Sequence, residues 1–422
     1  MEIRALRENE IEESIEHVCR AFGKPGHLRF RCHLTDDSSF ELEQARVCVA
    51  DGRIVSYVRV SDRPIHIGFA VVRMGGVGAV STDLDHRGRG HSNALLWDTV
   101  RYMERAGYDL SMLFTGIPQH YAKVGWATFP EHRFTVTPAP PPEPETPYRL
   151  RDFDEARDLD AVMNIYREYN RERTGTMARP QQYWHDRHSH LMGVLPQWVV
   201  ERDSQVVAYL RGSATHLAEL AYLPAHGEAV GPVCARAMGE ALARKADNVE
   251  AATAPQAGAS RGHGRAEMGI GGELTKSHPA LELLAGWSPR GLHHEETEGM
   301  MLRVIRLAPL MQKVAPVLER RLAHSGLLPR RRTICLREQG QAARLVIEGH
   351  HLHVAPCDSG DSADLHLEPG TRNFFKLLLG DTVFSQLREL IPGAQAVAPE
   401  DAALLDVLFP PQEPVYYSCD HF

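Results

Sequence analysis

No Cys-x-x-Cys pair, no apolar run of membrane-spanning length and no basic-plus-apolar leader pattern occurs in this 422-residue chain. Each absence removes a class. The seven cysteines, Cys19, Cys32, Cys48, Cys234, Cys335, Cys357 and Cys419, are odd in number and scattered. That spacing argues against a disulfide framework and a zinc site, and for a reducing, cytoplasmic setting. Without about 20 consecutive apolar residues no helix is expected to span a membrane, and without a leader no export is expected. Basic residues are in deficit, with 47 Lys and Arg against 55 Asp and Glu and a formal charge of -8. That balance disfavours nucleic acid as a partner and mildly favours cationic ones. His350, His351, His353 and His366 alternate on strands without evident carboxylate support, so no metal is expected. The phosphate-loop signatures Gly-Lys-Ser/Thr and Gly-x-Gly-x-x-Gly are missing as well.

The chain does carry a different glycine-rich turn. Gly76 to Val80 reads as a strand. Arg87, Gly88, Arg89 and Gly90 follow, and Leu95, Leu96, Val100 and Met103 then recur at helical spacing up to Gly107. Strand, basic glycine turn and helix start together form an anion site, because backbone N–H groups and the helix dipole converge on one point. The expected ligand is a pyrophosphate. The pattern Arg87-x-x-Gly90-x-Ser92 after Val80-x-Thr82 resembles the acetyl-coenzyme A loop of the GNAT superfamily of N-acetyltransferases. Downstream, Tyr108 to Phe114 reads as a buried strand, followed by Thr115-Gly116-Ile117-Pro118 and by Tyr121-x-x-x-Gly125-Trp126. These segments resemble the GNAT strand that splays from its neighbour and the short helix bearing a tyrosine near the departing sulfur.

The remainder reads as two further units. A stiff Pro-rich linker, residues 138–147, follows an N-terminal unit of residues 1–137. Tyr148-Arg-Leu-Arg-Asp then echoes Ile3-Arg-Ala-Leu-Arg. Trp198 to Leu210 echoes Val47 to Val58, each as a hairpin with an Asp-centred turn. Residues 148–305 are therefore expected to be a diverged GNAT-like copy without the phosphate turn, and without coenzyme. Residues 306–422 open with a helix, Leu307 to Ser325, continue with four short strands and a helix through Phe374 to Gly380, and resemble the sterol-carrier-protein fold. The expected class is thus mixed α+β: tandem GNAT-like domains followed by a sterol-carrier-like domain.

Taken in that order the units resemble the enhanced-intracellular-survival (Eis) family. The resemblance implies an acetyl-CoA-dependent N-acetyltransferase acting on a primary amine (aminoglycoside, polyamine or lysine-like), assembled as a hexamer. It implies Tyr121 as general acid and the main-chain carboxylate of Phe422 as base. Coenzyme contacts are expected from Val80, Ser81, Thr82, Arg87, Gly88, Arg89, Gly90, His91, Ser92, Asn93, Gly116 and Ile117. Gly88 departs from the basic residue common at that position in the family. Asp36, Asp37 and Glu41 fall where GNAT folds shape the acceptor pocket. No cysteine has a nucleophile setting, so direct attack on the thioester is expected. The alternatives are a non-catalytic acyl-CoA or lipid-binding assembly protein and a longer-chain N-acyltransferase.

Overall fold

The computed structural model describes all residues except 24–26, 144–145, 187–194, 254–268, 328 and 358–361, with backbone only for 246–253. The first unit runs β1 (Glu2–Ala5), α1 (Ile11–Phe22), α2 (His27–Thr35), β2 (Ala45–Ala50), β3 (Arg53–Asp62), β4 (Ile65–Ile67) and β5 (Ala70–Val72). It continues through β6 (Met74–Thr82), α3 (His91–Ala106), β7 (Leu110–Phe114), α4 (Pro118–Ala122) and β8 (Ala127–Val136). Next come β9 (Arg149–Asp152), α5 (Glu155–Asn170), β10 (Trp198–Arg202), β11 (Gln205–Ser213), β12 (His216–Tyr222), α6 (Val230–Thr253), β13 (Ile270–Gly272), α7 (Pro279–Trp287) and β14 (Leu292–Val304). The last stretch holds α8 (Leu307–Ser325), β15 (Arg332–Glu338), β16 (Gln341–Glu348), β17 (His351–Pro356), β18 (Leu365–Leu367), α9 (Thr371–Leu379), α10 (Phe384–Leu387) and α11 (Pro399–Leu408). Mixed α and β structure is what the alternating patterns indicated.

One twelve-stranded sheet joins the first two segments, in the order β1-β2-β3-β6-β7-β14-β8-β13-β12-β11-β10-β9. Its centre is made by a strand from far along the chain. β14 pairs with β8 from Leu292 to Leu302 and with β7 from Met300 to Val304. The first segment's sheet is therefore completed by residues about 180 positions downstream of β7, a pairing that no local pattern encodes. The C-terminal segment has its own sheet, ordered β17-β16-β15-β18, with α8 buried through Leu310, Met311, Val314 and Leu318. The β4–β5 hairpin of the first segment reaches over and packs on α8, where Gly68 lies against Val317.

The internal repeat is visible in backbone detail. The β2–β3 turn places Asp51 and Gly52 at φ 52° and 75°, and the β10–β11 turn places Asp203 and Ser204 at φ 51° and 65°. Both are tight hairpin turns with two left-handed residues. Each hairpin shifts register near its turn, at Cys48/Val49 and at Val200/Glu201. Each copy also has one short parallel pairing, β6 with β7 and β12 with β13.

Candidate active site

The site starts from a pairing that stops early. β6 and β7 pair only over Met74–Gly76 with Leu110–Met112, yet β6 continues to Thr82. A bulge follows. Arg59 faces Gly78 while Tyr57 faces Ser81, so β6 carries an extra residue around Ala79, whose φ is 54°. A bulged residue drops out of the ladder and leaves a backbone group free. The sequence pattern places Val80 to Thr82 among the expected coenzyme contacts. The bulge was not legible, because Ala79 is not a residue that signals left-handed backbone.

The glycine turn then leads into α3. Gly88 and Gly90 have φ 75° and 81°, a region where a Cβ is strained. That explains Gly88 where a basic side chain was the family expectation. Gly90 caps α3 without any side-chain acceptor, so the first-turn N–H groups are available to an anion. A cavity of about 620 Å³ opens there, lined by Val80, Ser81, Thr82, Arg87, Gly88, Gly90, His91, Ser92, Asn93, Ile117 and Tyr121, with His86, His120 and Lys123 added. Arg89 and Gly116 are exposed and do not line it. A second space of about 570 Å³ shares Ala21, Thr82, His86 and Arg87 with the first and adds Arg20 and Arg53 together with Asp51, Asp83 and Asp85, with Arg20 3.4 Å from Asp83. Ser81 Oγ, His86 Nδ1 and Asn93 Oδ1, buried polar atoms of the cavity-lining residues, have no hydrogen-bond partner among the described residues. Buried polar atoms are normally satisfied. A polar phosphopantetheine-type ligand suits this wall.

Tyr121, 8% exposed, sits on the five-residue α4 at the cavity edge. Burial pushes its phenol above the ordinary value, opposed by a hydrogen bond to Thr115. His120 stands edge-on to it with ring centroids 5.1 Å apart, and its Nε2 lies 2.9 Å from Ser92 Oγ. Burial, then Lys123, lower the His120 pKa, which favours the neutral ring.

The chain terminus arrives from another side. Gly76 and Gly78 alternate with Val77, which packs with the α3 residues Leu95 and Leu96, so the two glycines present the face away from α3. A Cβ on Gly76 would lie 2.6 Å from the Phe422 ring, and one on Gly78 would lie 3.1 Å from a terminal oxygen of Phe422. The two glycines make a notch for the last residue. His421 stacks on Phe114 at 3.8 Å, and burial, followed by Arg133 and Arg29, pushes its pKa down to about 4. Asp420 is fully buried, and its carbonyl accepts from Tyr416 Oη at 2.8 Å. Phe422 does not line the 620 Å³ cavity. β6 links the two, with Gly78 against the terminus and Val80 in the cavity wall.

The acidic residues considered for the acceptor behave differently. Asp37 is buried and receives Arg59 Nη2 at 2.5 Å and Arg63 Nη2 at 2.7 Å. Although burial opposes it, the two guanidinium groups hold its carboxyl far below the usual range. Its charge is already matched, so it is part of the scaffold. The backbone N–H of Glu41 donates to Gln44 Oε1 at 3.0 Å, as part of a capping turn.

The second copy's equivalent strands also part early. β12 pairs with β13 only through His216–Leu217, and the ring of His278 sits near the parting strands, with Nε2 2.9 Å from the Leu220 carbonyl. His278 is 3% exposed, and burial pushes its pKa down to about 3. The segment before α6 is Leu223-Pro-Ala-His-Gly-Glu, with no Arg-Gly-Arg-Gly turn.

Geometry of this kind, a parallel pair parting at a bulge beside an uncapped helix, defines the GNAT acetyltransferase fold. Residues 2–129 match the model of the acetyltransferase (GNAT) domain family. Several solved structures resemble the entire chain. A conserved protein of unknown function from Enterococcus faecalis V583, described as a probable N-acyltransferase, superimposes with a TM-score of 0.73 at 15% identity, covering 100% of this chain and 99% of that one. A GCN5-related N-acetyltransferase from Anabaena variabilis gives 0.69 at 14% identity, and Eis1 from Mycobacterium abscessus gives 0.65 at 16%, each covering 100% of both chains. No curated protein matches this sequence.

Proposed function

We propose that this chain is an acetyl-CoA-dependent N-acetyltransferase that acetylates a primary amine (aminoglycoside, polyamine or lysine-like) by direct attack on the thioester. The observation that carries this reading is the cavity at the uncapped N-terminus of α3, walled by Val80 to Thr82 and by Tyr121; the main-chain carboxylate of Phe422, against Gly78 two residues along β6 from Val80, is the proposed base. An amine must shed a proton to attack, and a carboxylate within hydrogen-bond reach of its nitrogen can take it. The bulged backbone of β6 can donate to the developing oxyanion. The phenol of Tyr121 can protonate the departing thiolate. The α3 N-terminus with Arg87 would hold the pyrophosphate. Arg20 and Arg53, which sequence reading did not single out, would face the adenosine end of the coenzyme. An acetyl-CoA consumption screen over aminoglycosides, polyamines, lysine peptides and small amines tests the reading; no turnover with any primary amine would overturn it.

Two outcomes are expected at the coenzyme. Arg87→Ala should raise the acetyl-CoA KM by about tenfold, the scale of one charge-assisted contact, with the amine KM nearly unchanged. Calorimetry measures the same loss as weaker coenzyme binding. The wild-type protein should bind one coenzyme per chain, because the second copy lacks the Arg-Gly-Arg-Gly turn; a stoichiometry of two would refute that reading. The family resemblance further suggests a hexamer, which sedimentation velocity would test.

A further inference from the structure

Four charged side chains that the coenzyme site does not use lie together in the interior. Arg179, Arg211, Glu219 and Asp420 are all fully buried. Arg179 donates to Glu219 at 2.5 Å, and to Asp420 through Nε at 2.9 Å and Nη2 at 2.8 Å. Arg211 lies 3.1 Å from Glu219. Tyr209 Oη donates to Glu219 at 2.5 Å, and Tyr183 Oη to Asp420 at 3.3 Å. The guanidinium of Arg179 also stacks over Tyr166 at 3.8 Å and near Trp184 at 4.8 Å. Two cations and two anions make a neutral set. Burying four charges is expensive unless each is matched in good geometry, so a hydrophobic cluster would have been the simpler core.

What distinguishes this cluster is where it grips the chain. Three members, Arg179, Arg211 and Glu219, come from the second GNAT-like segment. The fourth, Asp420, stands two residues before the terminal carboxylate. The hold continues upstream, where Val415 N–H donates to the Thr174 carbonyl at 3.1 Å. Gly175, with φ 92°, lies so close to Val415 that a Cβ there would sit 2.8 Å from its carbonyl oxygen. Beyond Asp420 the tail is held by the His421 and Phe422 rings against Phe114 and Tyr416, by the His421 N–H to the Ser418 carbonyl at 3.2 Å, and by the glycine notch. A single-bonded tail fixed at Asp420 leaves two residues, about 7 Å of chain at full reach, between anchor and terminus. A catalytic group has to be held to roughly half an ångström.

We propose that the second GNAT-like segment, which lacks the phosphate turn, serves as the holder of the C-terminal base, with Arg179 as the principal positioning residue acting through Asp420. This rests on the reading of the Phe422 carboxylate as the base. Arg179 binds neither coenzyme nor amine. It fixes the point from which the last two residues reach β6.

The test uses the full chain. Arg179→Met alone leaves two buried carboxylates facing one arginine and can fail to fold. The double variant Arg179→Met with Asp420→Leu removes one charge of each sign and keeps the Arg211–Glu219 pair. Three quantities are read: kcat, coenzyme affinity by calorimetry, and the rate at which carboxypeptidase A releases Phe422. The expected result is coenzyme affinity within about twofold of wild type, kcat lower by about tenfold or more, and Phe422 released at least about tenfold faster, consistent with loss of a charged tether. Arg179→Lys, which keeps one charge but not the fork, should fall between. Wild-type kcat, or an unchanged release rate, in the folded double variant would overturn the proposal. A protein extended beyond Phe422 is run in parallel. Loss of activity there with wild-type turnover in the double variant removes only the positioning role. Full activity in the extended protein removes the terminal-base reading itself, and this proposal with it.

Discussion

Adding a few residues after Phe422 should lower kcat by about two orders of magnitude or more, the range for loss of a positioned general base, while coenzyme binding and the fold persist. The reason lies in what the notch accepts. Gly76 admits the ring and Gly78 admits the terminal carboxylate. A peptide bond at that point replaces a charge with a neutral amide and forces extra chain into a space that lacks room for one Cβ. Phe422→Leu should keep much of the activity, because the carboxylate stays and leucine fills part of the notch. Deleting Phe422 moves the carboxylate to His421, about 3.5 Å short, and should resemble the extension. The discriminating measurement is steady-state kinetics on native, extended, shortened and Phe422→Leu proteins. Unchanged kcat in the extended protein would show that the terminus is not the base. Final residues commonly fray, but here Tyr416, Tyr417, Cys419 and Asp420 are all buried, so the tail arrives as ordered chain.

The same notch shows how the sequence was read and where reading stopped. The coenzyme turn was legible because its chemistry is local. Glycines at left-handed positions, arginines and a helix start lie within a dozen residues, and the structure brings most of the named residues around one cavity. Arg89 belongs to the same pattern, yet it is exposed and does not line the cavity. Gly76 and Gly78 were in plain view but had no local meaning. Their smallness matters only because residue 422 lands on them. The buried Arg179–Glu219–Asp420 contacts join positions 40 and 241 residues apart, and a lone arginine reads as surface. β14 was equally hidden, since its partners β7 and β8 precede it by more than 150 residues. Asp37 illustrates the converse. An acidic residue in a region associated with acceptor binding proved to be matched by Arg59 and Arg63, an arrangement that composition cannot reveal.

That distribution has a physical logic. Phosphate recognition needs only backbone donors and a dipole, which one turn supplies. Proton removal from an amine needs a group placed independently of that turn, and the proposed base comes from the far end of the chain. In the proposed reading a second copy without the phosphate turn holds that end through Arg179, Arg211 and Glu219.

Tyr121→Phe should lower kcat by about two to four orders of magnitude, the range for one well-placed proton donor, with acetyl-CoA affinity retained. The change removes one hydroxyl and leaves the ring that packs with Trp126 and Val124 in the α3 core. The structure also sets the pH behaviour. Burial raises the Tyr121 pKa, and its hydrogen bond with Thr115 only partly opposes that. A raised pKa keeps the phenol protonated, and so able to donate, throughout the neutral range. Its contribution to rate should therefore be complete at neutral pH and be lost only as pH climbs past the usual phenol value of about 10. In the Phe variant that alkaline loss should disappear from the kcat profile. His120 is the competing donor, since its ring stands edge-on to Tyr121 and its Nε2 meets Ser92. Its lowered pKa leaves it neutral near pH 7 and so a poorer source of a proton. Full activity in Tyr121→Phe together with a large loss in His120→Ala would transfer the acid role to the histidine; the reverse pattern fixes it on the phenol.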